Sequence, residues 1–136
     1  MGVKEVNKDV IKHGNFSFRI DKVQERLTLS DNSEATIIHI KMHNETRKKI
    51  YVEISTFPLI IDVFGNQFQS YCPLSGGFTG GDIYPGASVT LSFCWYSHQI
   101  RRTASIKQVI VKYSVNHEPE SEVIIHCDSS KQQLEK

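Results

Sequence analysis

The sequence Asp62-Val63-Phe64-Gly65-Asn66-Gln67-Phe68 has the pattern of two β-strands joined by a tight turn. The later segment Asp82-Ile83-Tyr84-Pro85-Gly86-Ala87-Ser88-Val89 repeats this pattern. Glycine adopts the positive φ that tight turns need, and Pro85 fixes the backbone just before Gly86. Apolar residues flank both turns at strand spacing. Short strands separated by such turns are typical of a β-sandwich.

Alternation of apolar and polar residues extends this pattern along most of the chain. From Val89 to Trp95 every second residue is apolar, which predicts a strand with one buried face. Comparable alternation begins at Phe16, Ile38, Ile50, Val109 and Val123, and the segments Leu59–Phe64 and Gln67–Tyr71 complete the set of predicted strands. No long segment has helical periodicity, which argues against alternating strands and helices. We expect an all-β, immunoglobulin-like antiparallel β-sandwich of about seven to eight strands.

Length and charge restrict the domain organisation and the partners. A chain of 136 residues forms one domain, which we expect at residues 13–128, after a flexible N-terminal segment at 1–12 and before a polar tail at 129–136. A net charge of +1 favours neither nucleic acid nor an acidic membrane surface. No apolar run is long enough for a membrane helix. We expect a cytoplasmic location if Met1 is the native start, and an extracytoplasmic or membrane-anchored one if the chain is part of a longer protein.

Several turn and core motifs follow one another in a characteristic order. They are Phe16-x-Phe18, Ile38-x-Ile40-x-Met42-x-Asn44, Ile50-Tyr51-Val52, Asp62-x-x-Gly65-Asn66-x-Phe68 and Pro85-Gly86-x-Ser88-Val89. In this order they resemble the immunoglobulin-like domains of unknown function found in bacterial lipoproteins and membrane-anchored proteins. The resemblance implies the fold, and it carries over no catalytic residue.

Motifs for catalysis and metal binding are lacking in the sequence. His39 and His43 share a strand face but lie about 13 Å apart, too far to bind one ion. His126 and Cys127 are adjacent and point to opposite faces. An ion held across strands, for instance by His39 and His126, is an open alternative. No serine lies in a nucleophile elbow, and we expect no enzyme activity, no metal and no cofactor.

The three cysteines, Cys72, Cys94 and Cys127, match no zinc or redox spacing. Alternation points Cys94 outward and Cys127 inward. We therefore expect no intramolecular disulfide, which needs close Cα atoms and Cβ atoms that face each other.

The segment Gly76-Gly77-Phe78-Thr79-Gly80-Gly81 is the candidate binding loop. Its glycines make the backbone adaptable, and we expect Phe78 to be an exposed apolar anchor with Tyr71 beside it and with Gly77 and Gly80 lining the contact. A plain connection between the sheets is the alternative. The basic run Arg47-Lys48-Lys49 is expected to be a solvated turn.

These observations predict a non-catalytic binding or assembly module with a protein partner, and they leave its oligomeric state open. One alternative is a carbohydrate-binding or small hydrolytic β-sandwich, in which Tyr51, Trp95 and Tyr96 would form an aromatic platform. Another is a structural subunit that assembles through edge strands.

Overall fold

A computed structural model describes residues 3–4, 10–28, 30–54, 58–70, 72–73, 78–96 and 106–127. These residues form twelve β-strands and no helix. The strands are β1 (Val3–Lys4), β2 (Ile11–His13), β3 (Phe16–Thr28), β4 (Glu34–Asn44), β5 (Ile50–Ile54), β6 (Leu59–Asp62), β7 (Gln67–Gln69), β8 (Cys72–Pro73), β9 (Gly80–Ile83), β10 (Ser88–Tyr96), β11 (Ile106–Val115) and β12 (Ser121–His126). They form two antiparallel sheets, which confirms the predicted β-sandwich.

The first sheet, sheet A, has the strand order β1-β3-β4-β10-β8, and β2 also pairs with β3. Its centre is the pair β4 and β10, in register from Ser88 opposite His43 to Tyr96 opposite Ala35. Residues 3–4 and 11–12, which we expected in a flexible segment, pair with β3 instead. Main-chain hydrogen bonding at a sheet edge needs no alternating side-chain pattern, so the sequence did not indicate these short strands.

The second sheet, sheet B, has the order β7-β6-β11-β5-β9, and β12 pairs with β11. Strand β11 is the shared partner. It pairs with β6 between Ile106 and Ile110, with β5 between Tyr113 and Val115, and with β12 along its other edge. β5 and β6 therefore follow one another along the same edge of β11. The strands are more numerous than predicted because the short strands β1, β2, β8 and β9 were not expected.

The core lies between the two sheets. Phe93 and Trp95 of β10 are buried in it, as their alternation predicted. The indole nitrogen of Trp95 donates to the carbonyl oxygen of Phe68 at 3.3 Å and so joins the sheets. On β11, the Tyr113 ring packs edge-to-face on Phe16 with centroids 6.0 Å apart. Burial raises the pKa of Tyr113 to about 12.

The turns lie at two opposite ends of the sandwich. The first residue of β11, Ile106, pairs with Asp62, and the last, Val115, pairs with Val52. The β6–β7 turn therefore lies at one end, whereas the β4–β5 loop and the β11–β12 turn lie at the other. No helix in the described ranges is long and apolar enough to cross a membrane.

Candidate functional site

The binding loop predicted from the sequence is described only in part. Tyr71 and Gly77 lie outside the described residues. The backbone N–H of Phe78 donates to the carbonyl oxygen of Thr90 in sheet A at 2.9 Å. The carbonyl oxygen of Thr79 accepts from the backbone N–H of Ile54 in sheet B at 3.0 Å. Gly80 is exposed at the start of β9.

Phe78 itself is partly buried and packs against the core. The main-chain hydrogen bonds of residues 78 and 79 attach this segment to both sheets. The Phe78 ring packs against the core beside them. The expectation that Phe78 is an exposed anchor is therefore wrong, although a contact made by the rest of this loop stays a prediction.

An exposed aromatic side chain lies instead on the β6–β7 turn, residues 62–66, which we call the Phe64 turn. Phe64 is 79% exposed and its neighbour Val63 is 43% exposed. The sequence pattern had placed both in a strand, but β6 ends at Asp62. The aspartate followed by Gly65-Asn66 was the signal for a turn, because Asp side chains commonly bond to the backbone a few residues ahead.

Hydrogen bonds to Asp62 fix the backbone of the Phe64 turn. Its Oδ1 accepts from the N–H groups of Phe64 at 2.9 Å and Asn66 at 2.8 Å. Its carbonyl accepts from Gly65 N at 3.1 Å, and Gly65 has the positive φ of 87° that favours glycine. Partial desolvation acts to raise the pKa of Asp62, but the bonds from Asn66, Phe64 and Gly65 outweigh it and lower that pKa. The turn thus presents Phe64 from an ordered backbone.

A cleft of about 430 Å³ opens at the opposite end of the sandwich. Three of its lining residues are the consecutive cations of Arg47-Lys48-Lys49, on the β4–β5 loop. The others are Asn15, Thr46, Ile50 and Asn116. We call it the basic cleft.

Asn44, which is fully buried, organises the loop that carries these cations. Its Nδ2 donates to the carbonyls of Lys48 at 2.8 Å and Ile83 at 2.9 Å. Its Oδ1 accepts from the N–H of Thr46 at 2.9 Å and from the Thr46 hydroxyl at 2.7 Å. Every polar atom of the Asn44 side chain is engaged, so the loop is held in one conformation.

The charges in the basic cleft are only partly neutralised. Lys49 Nζ lies 3.9 Å from Asp82 Oδ2 and 5.7 Å from the centre of the Tyr84 ring. Arg47 and Lys48 take part in no ion pair among the described residues. The sequence showed these cations but not the asparagines beside them, which come from distant turns.

Histidine and serine side chains form a hydrogen-bonded row on the outer face of sheet A. His39 Nε2 lies 2.7 Å from Gln24 Oε1, and His39 Nδ1 lies 2.7 Å from Ser92 Oγ. Since the Gln24 oxygen can only accept, Nε2 carries the proton and Nδ1 accepts from the Ser92 hydroxyl. Burial, together with Lys22, lowers the pKa of His39 and favours this neutral form.

The pair of Ser92 and His39 resembles a serine nucleophile with a histidine base. Acyl transfer also needs hydrogen-bond donors that stabilise the oxyanion formed during the reaction. The N–H groups of β4 and β10 beside it belong to the paired strands of sheet A. The described residues around Ser92 therefore offer no ready oxyanion site, and the expectation that the chain is not an enzyme stays a prediction. His39 and His126, the alternative metal pair, lie in different sheets.

Cys94 and Cys127 are both buried, so the outward direction expected for Cys94 does not expose it to solvent. Neither Cys94 nor Cys127 is in a disulfide. Burial raises the pKa of the Cys127 thiol to about 12. On sheet A, β8 places the backbone of Cys72 directly opposite Cys94, a pairing that the sequence did not indicate.

Comparison with known proteins supports the fold. Neither a protein-family model nor a curated protein sequence matches the chain. The chain is similar to the solved structure of the yjhA protein from Bacillus subtilis, with a TM-score of 0.55 and 16% identity over 88% of this chain and 96% of that one. It is also similar to a conserved hypothetical protein from Bacillus anthracis, with a TM-score of 0.49 and 11% identity over 90% of this chain and 98% of that one. At such identities the first likeness shows a shared all-β sandwich fold and nothing finer.

Proposed function

We propose that the chain is a non-catalytic binding module that contacts a protein partner through the Phe64 turn. The exposure of Phe64 is the observation that supports the proposal. An aromatic ring gives a large apolar contact at a small cost in side-chain entropy, and aromatic residues are enriched among the residues that dominate protein interfaces. The hydrogen bonds to Asp62 order the backbone beneath the ring before any partner binds, which reduces the entropy lost on association.

We also infer that the sandwich is of the immunoglobulin type. The order β3-β4-β10-β8 in sheet A matches the A-B-E-D order of that fold, and β12-β11-β5 in sheet B matches G-F-C. Turns at the ends of such sandwiches commonly carry binding residues. This order supports membership among the bacterial immunoglobulin-like domains that the sequence resembles.

A photoreactive phenylalanine analogue placed at position 64 tests the proposed contact. We expect it to cross-link one predominant protein in an extract of the source cells, identified by mass spectrometry. The same analogue at Tyr84, which is 61% exposed at the opposite end, is the matched control and should not capture that protein. Binding of the identified protein should be lost in Phe64→Ala, whose stability should change by less than about 0.5 kcal/mol. Equal capture from both positions, or full binding by Phe64→Ala, would refute the proposal.

A second candidate function is assembly of identical chains through β12. This strand pairs only with β11 among the described residues, so one of its edges is open to another strand. Its Ile124 is 39% exposed. In an antiparallel pair of β12 strands centred on Ile124, the two Ile124 side chains would meet, and each Glu122 would lie opposite His126 of the other copy.

Light scattering after size-exclusion chromatography tests this assembly. The wild-type chain should dimerise with increasing concentration, and Ile124→Lys should remain a monomer because an edge lysine opposes strand pairing. Val10→Lys, at another exposed apolar residue, is the control and should dimerise normally. A monomeric wild type at all concentrations rejects this candidate.

A further inference from the structure

We propose that the basic cleft binds a phosphate group carried by a small molecule. The cleft lies at the opposite end of the sandwich from the Phe64 turn, so this inference does not depend on the proposed protein contact. Its volume of about 430 Å³ is within the range of small-molecule sites.

The hydrogen-bonding groups in the cleft indicate an acceptor-rich ligand. Asn116 Oδ1 already accepts the N–H of Tyr51 at 3.2 Å, which leaves its amide nitrogen to donate. The Thr46 hydroxyl donates to Asn44 Oδ1 and accepts from Lys48 N at 3.2 Å, so it is occupied within the loop. The side-chain acceptors of Thr46 and Asn116 are thus in use, whereas the cations and the Asn116 amide nitrogen are donors.

The charge of the cleft favours a group with more than one negative charge. Asp82 forms an ion pair with Lys49. Arg47 and Lys48 each carry a positive charge and have no carboxylate partner among the described residues. A guanidinium group binds two oxygens of a phosphate at once, and an ammonium group adds a point charge. A phosphate dianion matches this pair better than a single carboxylate does.

The frame of the cleft is ordered without a ligand. Asn44 and Thr46 fix the β4–β5 loop, as described above. On the facing turn, Asn116 and His117 have positive φ values of 50° and 64°, and Asn116 N donates to Tyr51 O at 2.8 Å. The donors are therefore carried on two positioned turns, which reduces the entropy cost of binding an anion.

Titration followed by NMR tests the site with inorganic phosphate, pyrophosphate and citrate as probes, each matched to sodium chloride at equal ionic strength. We expect phosphate and pyrophosphate to produce saturable shifts confined to Asn15, residues 46–50 and residues 116–117. Pyrophosphate should bind more tightly because it has more charge. Shifts that follow ionic strength alone, or tighter binding of citrate than of pyrophosphate, would overturn the proposal.

Charge-reversal variants locate the binding. Lys48→Glu should raise the dissociation constant for pyrophosphate by about tenfold or more, because it replaces a donor with a like charge. Lys107→Glu makes the same change in net charge at the other end of β11 and should bind as the wild type does. A second cleft variant, Arg47→Gln, keeps hydrogen-bonding capacity and should also weaken binding. If Lys107→Glu weakens binding as much as Lys48→Glu does, the anion is attracted by net charge and the cleft is not a site.

Discussion

At the scale of single residues, the buried amide of Asn44 fixes the conformation of a surface loop. Asn44 is hidden from solvent, yet it positions the loop that carries the exposed cations of the basic cleft. A short hydrocarbon residue there would remove the side-chain donor to the Ile83 carbonyl and the acceptor of the Thr46 N–H. Polar groups left unsatisfied in a protein interior are costly, so the proposed phosphate site depends on a residue that no ligand could touch.

The lowered pKa of His39 leads to a prediction about the stability of the fold at low pH. Burial first, and the charge of Lys22 second, lower its pKa from the usual 6.5, while Asp21 acts in the opposite direction. The unfolded chain therefore takes up a proton more readily than the folded one. The stabilisation of the folded state by neutral His39 is therefore complete above pH 6.5, and it is lost as the pH falls through the lowered pKa of His39.

Urea denaturation of the wild type and His39→Gln at about pH 7.5 and about pH 5 measures this effect. Wild-type stability should decrease more on acidification than that of the variant, in which position 39 does not titrate. Identical decreases in both proteins would show that His39 does not contribute.

At the scale of elements, alternation along β10 leads to a prediction about packing. Phe93 is buried between the sheets, so Phe93→Ala should cost about 3 to 5 kcal/mol of unfolding free energy. Thr90→Ala, on the other face of the same strand, should cost less than about 0.5 kcal/mol. Chemical denaturation of both variants is the measurement, and similar losses would contradict the register of this strand.

The elements also show which structural features a sequence pattern can predict. β10 was predicted because the residues that face the core, among them Phe93 and Trp95, alternate with less apolar ones, although Ser92 and Cys94 on its other face are also buried. Phe64 was misplaced because a run of apolar residues does not show where Asp62 begins a turn. The basic cleft could be predicted only in part, since its cations are consecutive in sequence whereas Asn15 and Asn116 reach it through tertiary structure.

The register of β8 and β10 leads to a prediction about the thiols. Opposite residues of antiparallel strands have Cα atoms about 4.5 to 5.5 Å apart, within the range that a disulfide spans. The reduced protein should titrate three thiols when denatured, as its three cysteines require. The sequence led us to expect no intramolecular disulfide, whereas this register allows one: after mild oxidation, mass spectrometry should find Cys72 joined to Cys94 and Cys127 still reduced. A bond to Cys127 would contradict the strand assignment.

At the scale of the whole molecule, the two proposed surfaces are separated by the length of β11. Its ten residues span about 30 Å, and sites so far apart without shared contacts act additively. Phe64→Ala should therefore bind pyrophosphate as the wild type does, and Lys48→Glu should retain the cross-link from position 64. Loss of both activities in either variant would indicate that the two ends are coupled.

The shared role of β11 has a consequence for synthesis of the chain. β5 and β6 are made well before β11, and both pair with it along one edge. Until β11 emerges from the ribosome, those strands lack the central partner that joins them into one sheet. Contacts between segments distant in the chain slow folding, so we expect sheet B to form only after β11 has been synthesised. A nascent chain that ends before Ile106 would expose apolar strands that lack a pairing partner. We expect chaperones that bind such strands to bind the chain before β11 is made.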